Sequence, residues 1–333
     1  MDEYIKLQEV WSKMIKNKRI LLTGGAGFIG TKLCQLLSEN NTILLYDNLN
    51  RNSIKNTTLL EKTNIKLVEG DILDFQRLKS IVEEFSPEIV VHLAAVAGID
   101  TVIKNPVNTM KVNMIGTYNL LESVKDLKIE RFVDFSTSEV FGSYAYKVEE
   151  THTTNLAPVG EARWTYSVSK LAGEHLAHSY YKEYGLPIVT VRPFNIYGPG
   201  QVGEGAIHQF VVRAINNEQI QIHGDGDQIR SWCYIDDFVD GIMLCLTKEE
   251  AIGNSFNIGN PRATVTISML AESIKRIADS NSEIVHVPKE YVDVELRIPS
   301  IEKAKNVLSY SPKYDLTEGL KETIEWYRRN KND

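Results

Sequence analysis

The sequence predicts an α/β protein, with a doubly wound parallel sheet that has helices on both faces and a smaller C-terminal lobe. Two observations support this fold class. From residue 19 onward, short apolar runs alternate with longer helical periods, which is the pattern of a parallel sheet covered by helices. After Pro193 the chain becomes irregular and carries several glycine-rich turns, which favours a separate lobe.

The elements follow in a regular order. The predicted strands are Ile20–Leu22, Ile43–Tyr46, Ile65–Glu69, Ile89–Leu93, Phe132–Phe135 and Ile188–Val191. The predicted helices include Thr31–Ser38, Phe75–Phe85, Met110–Asp126, Ser167–Tyr184 and Thr317–Arg329. We expect a helical N-terminal extension at 1–18, a sheet domain at 19–192, and a region at 193–333 that is mainly the lobe, with some segments returning to the sheet domain.

Composition excludes several classes of protein. The net charge of -7 argues against general nucleic-acid binding, which needs a basic face. No apolar run approaches the ~20 residues of a membrane span, so no membrane partner is expected. The three cysteines, Cys34, Cys233 and Cys245, are far apart, which argues against disulfides and favours the cytoplasm. The histidines form no ligand set, so no metal is expected.

The stretch LLTGGAGFIG predicts a dinucleotide site at the first turn. Gly24, Gly27 and Gly30 follow the first strand and open the first helix, where the chain turns sharply and a diphosphate approaches the helix N-terminus. Asp47 ends the second strand, and a carboxylate there accepts hydrogen bonds from ribose hydroxyls but repels a 2'-phosphate. A Rossmann-type domain that prefers NAD to NADP is predicted. The nearby Arg51 counts against this preference, because an arginine near the end of the strand can bind a 2'-phosphate.

Tyr166 and Lys170 form the predicted acid–base pair. A spacing of four places both side chains on one helix face, one turn apart. A neighbouring ammonium favours the phenolate, so we expect the pair to supply a base at neutral pH. Lowering the pKa of a phenol from about 10 to about 7 requires about 4 kcal/mol, which Lys170 and an oxidised nicotinamide ring would provide together.

These motifs, with Gly70-Asp71-Ile72, His92-Leu93-Ala94-Ala95 and Ser136-Thr137, resemble the extended short-chain dehydrogenase/reductase family over about residues 19–330. The resemblance implies that Asp71 and Ile72 contact the adenine, that Lys170 holds the nicotinamide ribose and that Pro193 lies beside the nicotinamide. The complete expected NAD-binding set is Gly24, Gly27, Phe28, Ile29, Gly30, Asp47, Asn48, Asp71, Ile72, Leu93, Ala94, Ala95, Tyr166, Lys170 and Pro193.

The stretch FSTSEVFG carries the residues that divide this family by reaction. The resemblance makes Thr137 the hydroxyl that bonds the substrate oxygen, and Ser138-Glu139 is the pair seen in UDP-glucuronate decarboxylases. RWTYSVSK, RPFNIYGP and YVDVELRIPS also resemble that group. The expected catalytic set is Thr137, Ser138, Glu139, Tyr166 and Lys170, and the expected substrate-binding set is Arg163, Asn195, Arg230 and Arg297. Arg163 and Arg297 would bind a hexuronate carboxylate.

The predicted function is NAD-dependent decarboxylation of a nucleotide-linked hexuronic acid, most simply a UDP-sugar, after transient oxidation at C4. Dehydration through Glu139 (4,6 or 5,6) and 4-epimerisation by rotation of the ketone share the first step and stay open. A protein that binds NAD without turnover is the third class. The family resemblance further implies a homodimer, paired through the helices before and at Tyr166.

Overall fold

The computed structural model describes residue 11 and residues 14–156, 158–288 and 292–330. Strands β1 to β15 span Arg19–Thr23, Thr42–Asp47, Ile65–Glu69, Ile89–His92, Arg131–Phe135, Tyr144–Val148, Ile188–Pro193, Ile196–Tyr197, Ile220–His223, Ile229–Ser231, Cys233–Tyr234, Asn254–Ile258, Thr264–Thr266, Ile284–Val287 and Leu296–Pro299. Helices α1 to α10 span Phe28–Leu37, Phe75–Phe85, Ile99–Lys104, Pro106–Met110, Thr117–Val124, Thr165–Tyr184, Ala206–Ile215, Ile235–Thr247, Ile267–Ile277 and Leu316–Arg329.

The large sheet confirms the predicted fold class. Its strands are ordered β12-β7-β5-β4-β1-β2-β3, and every neighbouring pair is parallel. Strand β1 lies between β2 and β4, so the direction of winding reverses at this strand, as in a Rossmann-type sheet. The carboxyl ends of parallel strands meet at one edge, and a ligand is expected in the crevice at this switch point.

Most predicted elements lie within a few residues of their predicted ends. β3 and α2 have the predicted bounds, and α6 begins two residues earlier than expected. The helix expected at Met110–Asp126 begins at Pro106, because proline suits the first turn of a helix. A π-helical turn at Lys111–Gly116 joins α4 to α5. Such turns occur frequently at functional sites.

The smaller lobe has its own sheet, ordered β13-β10-β15-β6. Strand β6 comes from the first half of the chain and pairs with β15, whereas β12 comes from the second half and pairs with β7 in the large sheet. The two parts therefore exchange segments, and the division at residue 193 stays a prediction. No helix in the described part of the chain is long and apolar enough to cross a membrane.

The predicted N-terminal helix falls largely on residues 1–10, 12 and 13, which lie outside the described residues. Trp11 is buried, and its Nε1 donates a hydrogen bond to Asp240 Oδ1 on α8 at 3.1 Å. Ile15 is also buried, while Met14 is exposed. The end of the extension therefore packs on the body of the protein.

Candidate active site

A cavity of about 480 Å³ lies at the carboxyl edge of the large sheet. Every residue of the expected NAD-binding set lines it. The strands position these residues because their carboxyl ends converge at the switch point. Ser136, Tyr46 and Val112, which the sequence analysis did not select, contribute to the same wall.

The glycine turn leaves room for a phosphate chain. Gly24 has a φ of +68°, and a Cβ there would lie 2.6 Å from Ala94 N. A Cβ at Gly30 would lie 2.6 Å from the backbone of Gly25, so the helix could not approach the strand as closely. No side chain caps the N-terminus of α1, which begins at the cavity wall. The turn therefore fits a diphosphate at a helix N-terminus.

Asp47 lies in the same cavity with both carboxylate oxygens oriented by the backbone. Oδ2 accepts a hydrogen bond from Ala26 N at 2.9 Å, and Oδ1 accepts one from Leu49 N at 2.7 Å. Burial raises the pKa of Asp47, while these two hydrogen bonds act in the opposite direction. Each carboxylate oxygen can accept further hydrogen bonds, so the geometry is compatible with ribose hydroxyls as donors.

Arg51, the reservation in the cofactor prediction, lies at the junction of this cavity with a second one. Its Nη2 donates to Ala97 O at 2.7 Å and lies 3.8 Å from Glu204 Oε1. Glu204 also accepts hydrogen bonds from Asp100 N and Thr101 Oγ1 at 2.9 and 2.5 Å. Arg51 is thus directed at the lobe, where Glu204 is its ionic partner.

Tyr166 and Lys170 lie one turn apart on α6 and both line the first cavity. The pKa of Tyr166 is raised to about 12, first by burial and then by the charge of Glu139, while the Thr137 hydroxyl lowers it. The expected lowering of this pKa by Lys170 together with an oxidised nicotinamide ring stays a prediction. Burial also lowers the pKa of Lys170, opposed by the carboxylates of Asp134 and Glu174, which balance its charge.

The second cavity, of about 600 Å³, lies between the sheet edge and the lobe. Its wall is rich in charged side chains that come from several separate parts of the chain. The expected residues Glu139, Arg163, Asn195, Arg230 and Arg297 all line it, together with Asp293. Three arginines and two carboxylates leave one net positive charge in this group, which favours an anionic ligand.

Glu139 is held by arginine at the wall of this cavity. Nη1 and Nη2 of Arg163 donate to Oε2 and Oε1 of Glu139 at 2.5 and 3.0 Å, and Ser167 Oγ donates to Oε2 at 3.4 Å. Burial opposes ionisation of Glu139, but Arg163 and then Arg297 outweigh it and hold its pKa at about 2. The guanidinium of Arg163, expected to face a substrate carboxylate, thus binds a carboxylate of the protein itself.

Arg297 is less fully engaged than Arg163. Its Nη1 lies 3.5 Å from Glu139 Oε1, and its Nη2 donates to Gly142 O at 3.2 Å. Its Nε is buried without a hydrogen-bond partner among the described residues. Burial lowers the pKa of Arg297 to about 10, with Glu139 opposing. Of the two arginines predicted to bind a carboxylate, Arg297 makes the looser contact with Glu139.

The remaining predicted residues differ in their placement. Thr137 Oγ1 accepts a hydrogen bond from Glu139 N at 3.2 Å, at the start of a 3₁₀ turn spanning Ser138–Phe141. Successive residues in such a turn point about 120° apart, and Ser138 is buried and lines neither cavity. Asn195 has a φ of +44° and donates from Nδ2 to Ser231 O at 2.8 Å.

Asp293 and Glu204 are charged cavity residues that the sequence analysis did not select. Asp293 Oδ1 lies 3.5 Å from Arg230 Nη2 and 3.9 Å from Arg163 Nη2. A signal for Asp293 exists in YVDVELRIPS, where it stands four residues before Arg297. Glu204 stands between Gly203 and Gly205, and an acidic residue in a glycine turn does not by itself reveal its partner.

Known proteins are similar to this chain in sequence and in fold. A family model described as GDP-mannose 4,6 dehydratase matches residues 21–323. The chain belongs to this family. It is a nucleotide-sugar enzyme of the extended short-chain dehydrogenase/reductase type, which confirms the predicted family and class of enzyme.

The relatives of the chain catalyse different reactions. A dTDP-D-glucose 4,6-dehydratase of Dictyostelium discoideum is 38% identical over 253 residues, which are 73% of this chain but 58% of that protein. A UDP-N-acetyl-alpha-D-glucosaminuronate decarboxylase of Bacillus cytotoxicus is 33% identical over 95% of this chain and 99% of its own length. The structure of a UDP-glucuronic acid 4-epimerase of Bacillus cereus, with UDP-glucuronic acid and NAD, has a TM-score of 0.84 at 31% identity, covering 94% of this chain and 99% of that one.

Proposed function

We propose that the enzyme uses NAD to decarboxylate a UDP-linked hexuronic acid. The observation that carries the proposal is Glu139, which Arg163 and Arg297 hold ionised on the wall of a cavity with a surplus of positive charge. An acidic sugar would bring a carboxylate to that surplus, and Arg297, whose contact with Glu139 is the looser one, would bind it. A neutral sugar would bring only the charge of its diphosphate and would offer Arg297 no carboxylate.

NAD, when bound along the glycine turn, accepts a hydride from the substrate and can return it. In the proposed reaction Tyr166 takes the proton of the sugar C4 hydroxyl, and Thr137 bonds the same oxygen. The Tyr166 pKa of about 12 means that positive charge is needed beside the phenol during this step. Lys170 contributes part of it and would also bind the ribose of the cofactor.

The oxidised sugar carries a ketone at C4, which is beta to the C6 carboxylate. The C5–C6 bond breaks, its electrons pass into the ketone as an enolate, and carbon dioxide leaves. A proton from water then adds at C5. Where C4 is reduced again, Tyr166 would return its proton to the C4 oxygen and the product would be the pentose. Where it is not, the product would be the 4-keto pentose. Arg297 would orient the carboxylate before the bond breaks and would not need to hold the neutral product.

The same geometry argues against dehydration. A dehydratase uses the glutamate to remove the C5 proton, but Glu139 is a weak base because its pKa is about 2. In the proposed reaction Glu139 instead orients Arg163 and Arg297. A 4-epimerase of a hexuronic acid also needs a carboxylate-binding arginine, so epimerisation is the second candidate.

The test is product analysis with purified full-length protein and NAD. UDP-glucuronate, UDP-N-acetylglucosaminuronate, UDP-glucose and UDP-N-acetylglucosamine are supplied separately, and the products are examined by mass spectrometry and proton NMR. We expect an acidic sugar to lose carbon dioxide. Loss of water would make the enzyme a dehydratase, and an altered C4 coupling at unchanged mass would make it an epimerase. NAD binding without turnover would place it in the non-catalytic class.

Replacing Arg297 with alanine tests the choice of substrate. We expect a much larger loss of kcat/KM on a hexuronate than on any neutral sugar, because a carboxylate would be left unpaired. Arg276→Ala, at an exposed position on α9, is the matched control. Equal losses on acidic and neutral sugars in the Arg297 variant would remove the reason to prefer an acidic substrate.

A homodimer and a cytoplasmic location are also proposed. Val107, Ile115 and Tyr118 on the stretch from α4 to α5, and Val168 on α6, are exposed apolar residues. These are the helices through which the family resemblance implies pairing. Light scattering coupled to gel filtration would detect a dimer, and Tyr118→Asp should convert it to a monomer.

A further inference from the structure

A row of polar side chains crosses the large sheet in otherwise apolar strands. Strand register places Thr23 beside His92, His92 beside Asp134, and Asp134 beside Thr190. Ser255 follows beside Thr190 on β12. The first four are fully buried or nearly so. Polar groups are costly to bury without partners, so a row of this length calls for an explanation.

The row faces helix α6. Residues two apart in a strand share a face of the sheet. Phe132, two residues before Asp134, packs in a core with Ala177 and Tyr180 of α6, whereas Val133 belongs to the core on the opposite face. The Asp134 side chain therefore points toward the helix that carries Tyr166.

Helix α6 presents a matching polar stripe with a period of four, made of Tyr166, Lys170, Glu174 and His178. Glu174 is fully engaged, because Nε and Nη2 of Arg192 donate to it at 2.8 to 3.1 Å and Ser255 Oγ donates at 2.7 Å. The carboxylates that favour the charged form of Lys170 are Asp134 first and Glu174 second. Asp134 is thus the carboxylate not already committed to an arginine.

His92 does not compete for Asp134 as a cation. Thr117 Oγ1 donates to Asn113 O at 2.7 Å, so its contact with His92 Nε2 at 2.9 Å requires the ring N–H to donate. Burial lowers the pKa of His92 to about 3, so the ring is neutral. The other ring nitrogen, Nδ1, therefore accepts from Thr23 Oγ1 at 2.7 Å.

We propose that Asp134 is a positioning residue for Lys170. Its carboxylate, on the face of the sheet toward α6, keeps the ammonium charged and orients it toward the cofactor cavity. Asp134 Oδ1 is buried and has no hydrogen-bond partner among the described residues, which leaves it available to an ammonium. The proposal rests on the Tyr166–Lys170 step of the proposed function and not on decarboxylation. The charged and titratable groups around Asp134 are His92 on β4, Lys170, Glu174 and His178 on α6, and Arg192 on β7.

The consequence for catalysis is a change in pH dependence. The step needs Lys170 as an ammonium, and burial already lowers its pKa. In Asp134→Asn the larger of the two charges that oppose this lowering is absent, so we expect the alkaline limb of the pH profile of kcat/KM to move about one pH unit or more toward acid. Thr190→Val, which alters the neighbouring position of the row without removing a charge, should leave the limb in place. An unmoved limb in Asp134→Asn would overturn the proposal.

A thermal melting cycle tests the pairing without any substrate. The wild type, Asp134→Asn, Lys170→Met and the double variant are melted. If the two sites were independent, the change in Tm of the double variant would equal the sum of the changes in the two single variants. We expect its Tm to lie roughly 3 °C or more above that additive value. Thr190→Val combined with Lys170→Met should be additive. Additivity for the Asp134 pair would overturn the proposal even if the enzyme turns over no sugar tested.

The cycle also decides the case in which Asp134→Asn does not fold. Recovery of folded protein in the double variant would support the pairing, because it removes both charges together. Failure of the double variant to fold would count against it. An inactive wild type with clear coupling in the melts would contradict the proposed function and leave the assignment of Asp134 intact.

Discussion

Two arginine–glutamate pairs involve residues at or near helix α6. Arg163, just before the helix, pairs with Glu139, and Glu174, on the helix, pairs with Arg192. Glu139 accepts from both Nη atoms of Arg163 at 2.5 and 3.0 Å, and Glu174 accepts from Nε and Nη2 of Arg192 at 2.8 to 3.1 Å. Both glutamates have a lowered pKa, with the arginine charge outweighing burial. The chemistry of the two pairs is nearly the same.

Their surroundings differ. Ser255, a neutral donor, completes the shell of Glu174, and neither Glu174 nor Arg192 lines either of the two cavities described above. Glu139 instead meets a second arginine, Arg297, at a cavity wall. An ion pair alone therefore does not indicate a binding site in this fold. A surplus of one sign of charge beside a cavity is the feature that favours one.

The largest expected effect is on stability and concerns the Glu174–Arg192 pair. Glu174→Gln leaves the Arg192 charge buried without a counter-ion, so we expect a loss of about 3 to 5 kcal/mol in the free energy of unfolding. Turnover per folded molecule should change little. Urea unfolding followed by circular dichroism measures the first quantity, and activity normalised to folded protein measures the second.

The double variant Glu174→Leu/Arg192→Met is the control, because it replaces both charges with apolar groups and should recover most of the loss. A Glu174→Gln variant with the unfolding midpoint of the wild type would show that water reaches this pair, and the contrast with Glu139 would collapse.

The next effect is on the pair at the cavity wall. Glu139→Gln releases Arg163 and Arg297 from the anion that orients them, so we expect kcat/KM to fall about 100-fold, or about 2.7 kcal/mol. The loss of stability should be smaller than in Glu174→Gln, since Asp293, 3.9 Å from Arg163, remains as a counter-ion. If the two variants lose equal stability and Glu139→Gln keeps full activity, the assignment of Glu139 to the active site is wrong.

Much of the cavity lined by the expected NAD-binding residues could be predicted from the sequence, because neighbouring residues in the chain determine its structure. A glycine with positive φ at Gly24, a helix that begins at the turn and an aspartate at the end of β2 are all set by neighbours within a few positions. Parallel strands then bring their ends together whatever the loops between them contain. Ile65–Glu69 and Phe75–Phe85 were predictable to the residue for the same reason.

The substrate half was harder to predict because its chemistry depends on side chains that meet only in the folded protein. Glu139 and Arg163 are 24 residues apart, and nothing between them indicates a pair. The pKa of Tyr166 depends on burial and on Glu139, which a spacing of four to Lys170 does not include. Asp134 is one polar residue in an apolar strand, and only strand register places it in a row.

Lowering the pH should reveal how much the ion pair of Glu139 contributes to the free energy of unfolding. The folded pKa of about 2 lies below the ordinary 4.5, so between pH 4.5 and 3 the unfolded chain binds a proton that folded Glu139 does not. Stability is therefore lost as the pH falls, by about 2 kcal/mol over this range from Glu139. Glu139→Gln should lose that much less than the wild type in urea titrations at the two pH values. Parallel losses would mean that Glu139 is not paired in solution.

The smallest expected effect concerns a third pair, Arg51 and Glu204, at the junction of the two cavities. Its closest charged atoms are 3.8 Å apart, and the two side chains are 41% and 29% exposed, so Glu204→Gln should change the free energy of unfolding by less than about 1 kcal/mol. The same urea titration measures it, with Glu174→Gln as the buried reference. A loss of about 2 kcal/mol or more would mean that Glu204 acts chiefly through its hydrogen bonds to Asp100 and Thr101. A loss below about 1 kcal/mol would mean that the contributions of the three pairs to stability follow how far water is excluded from each.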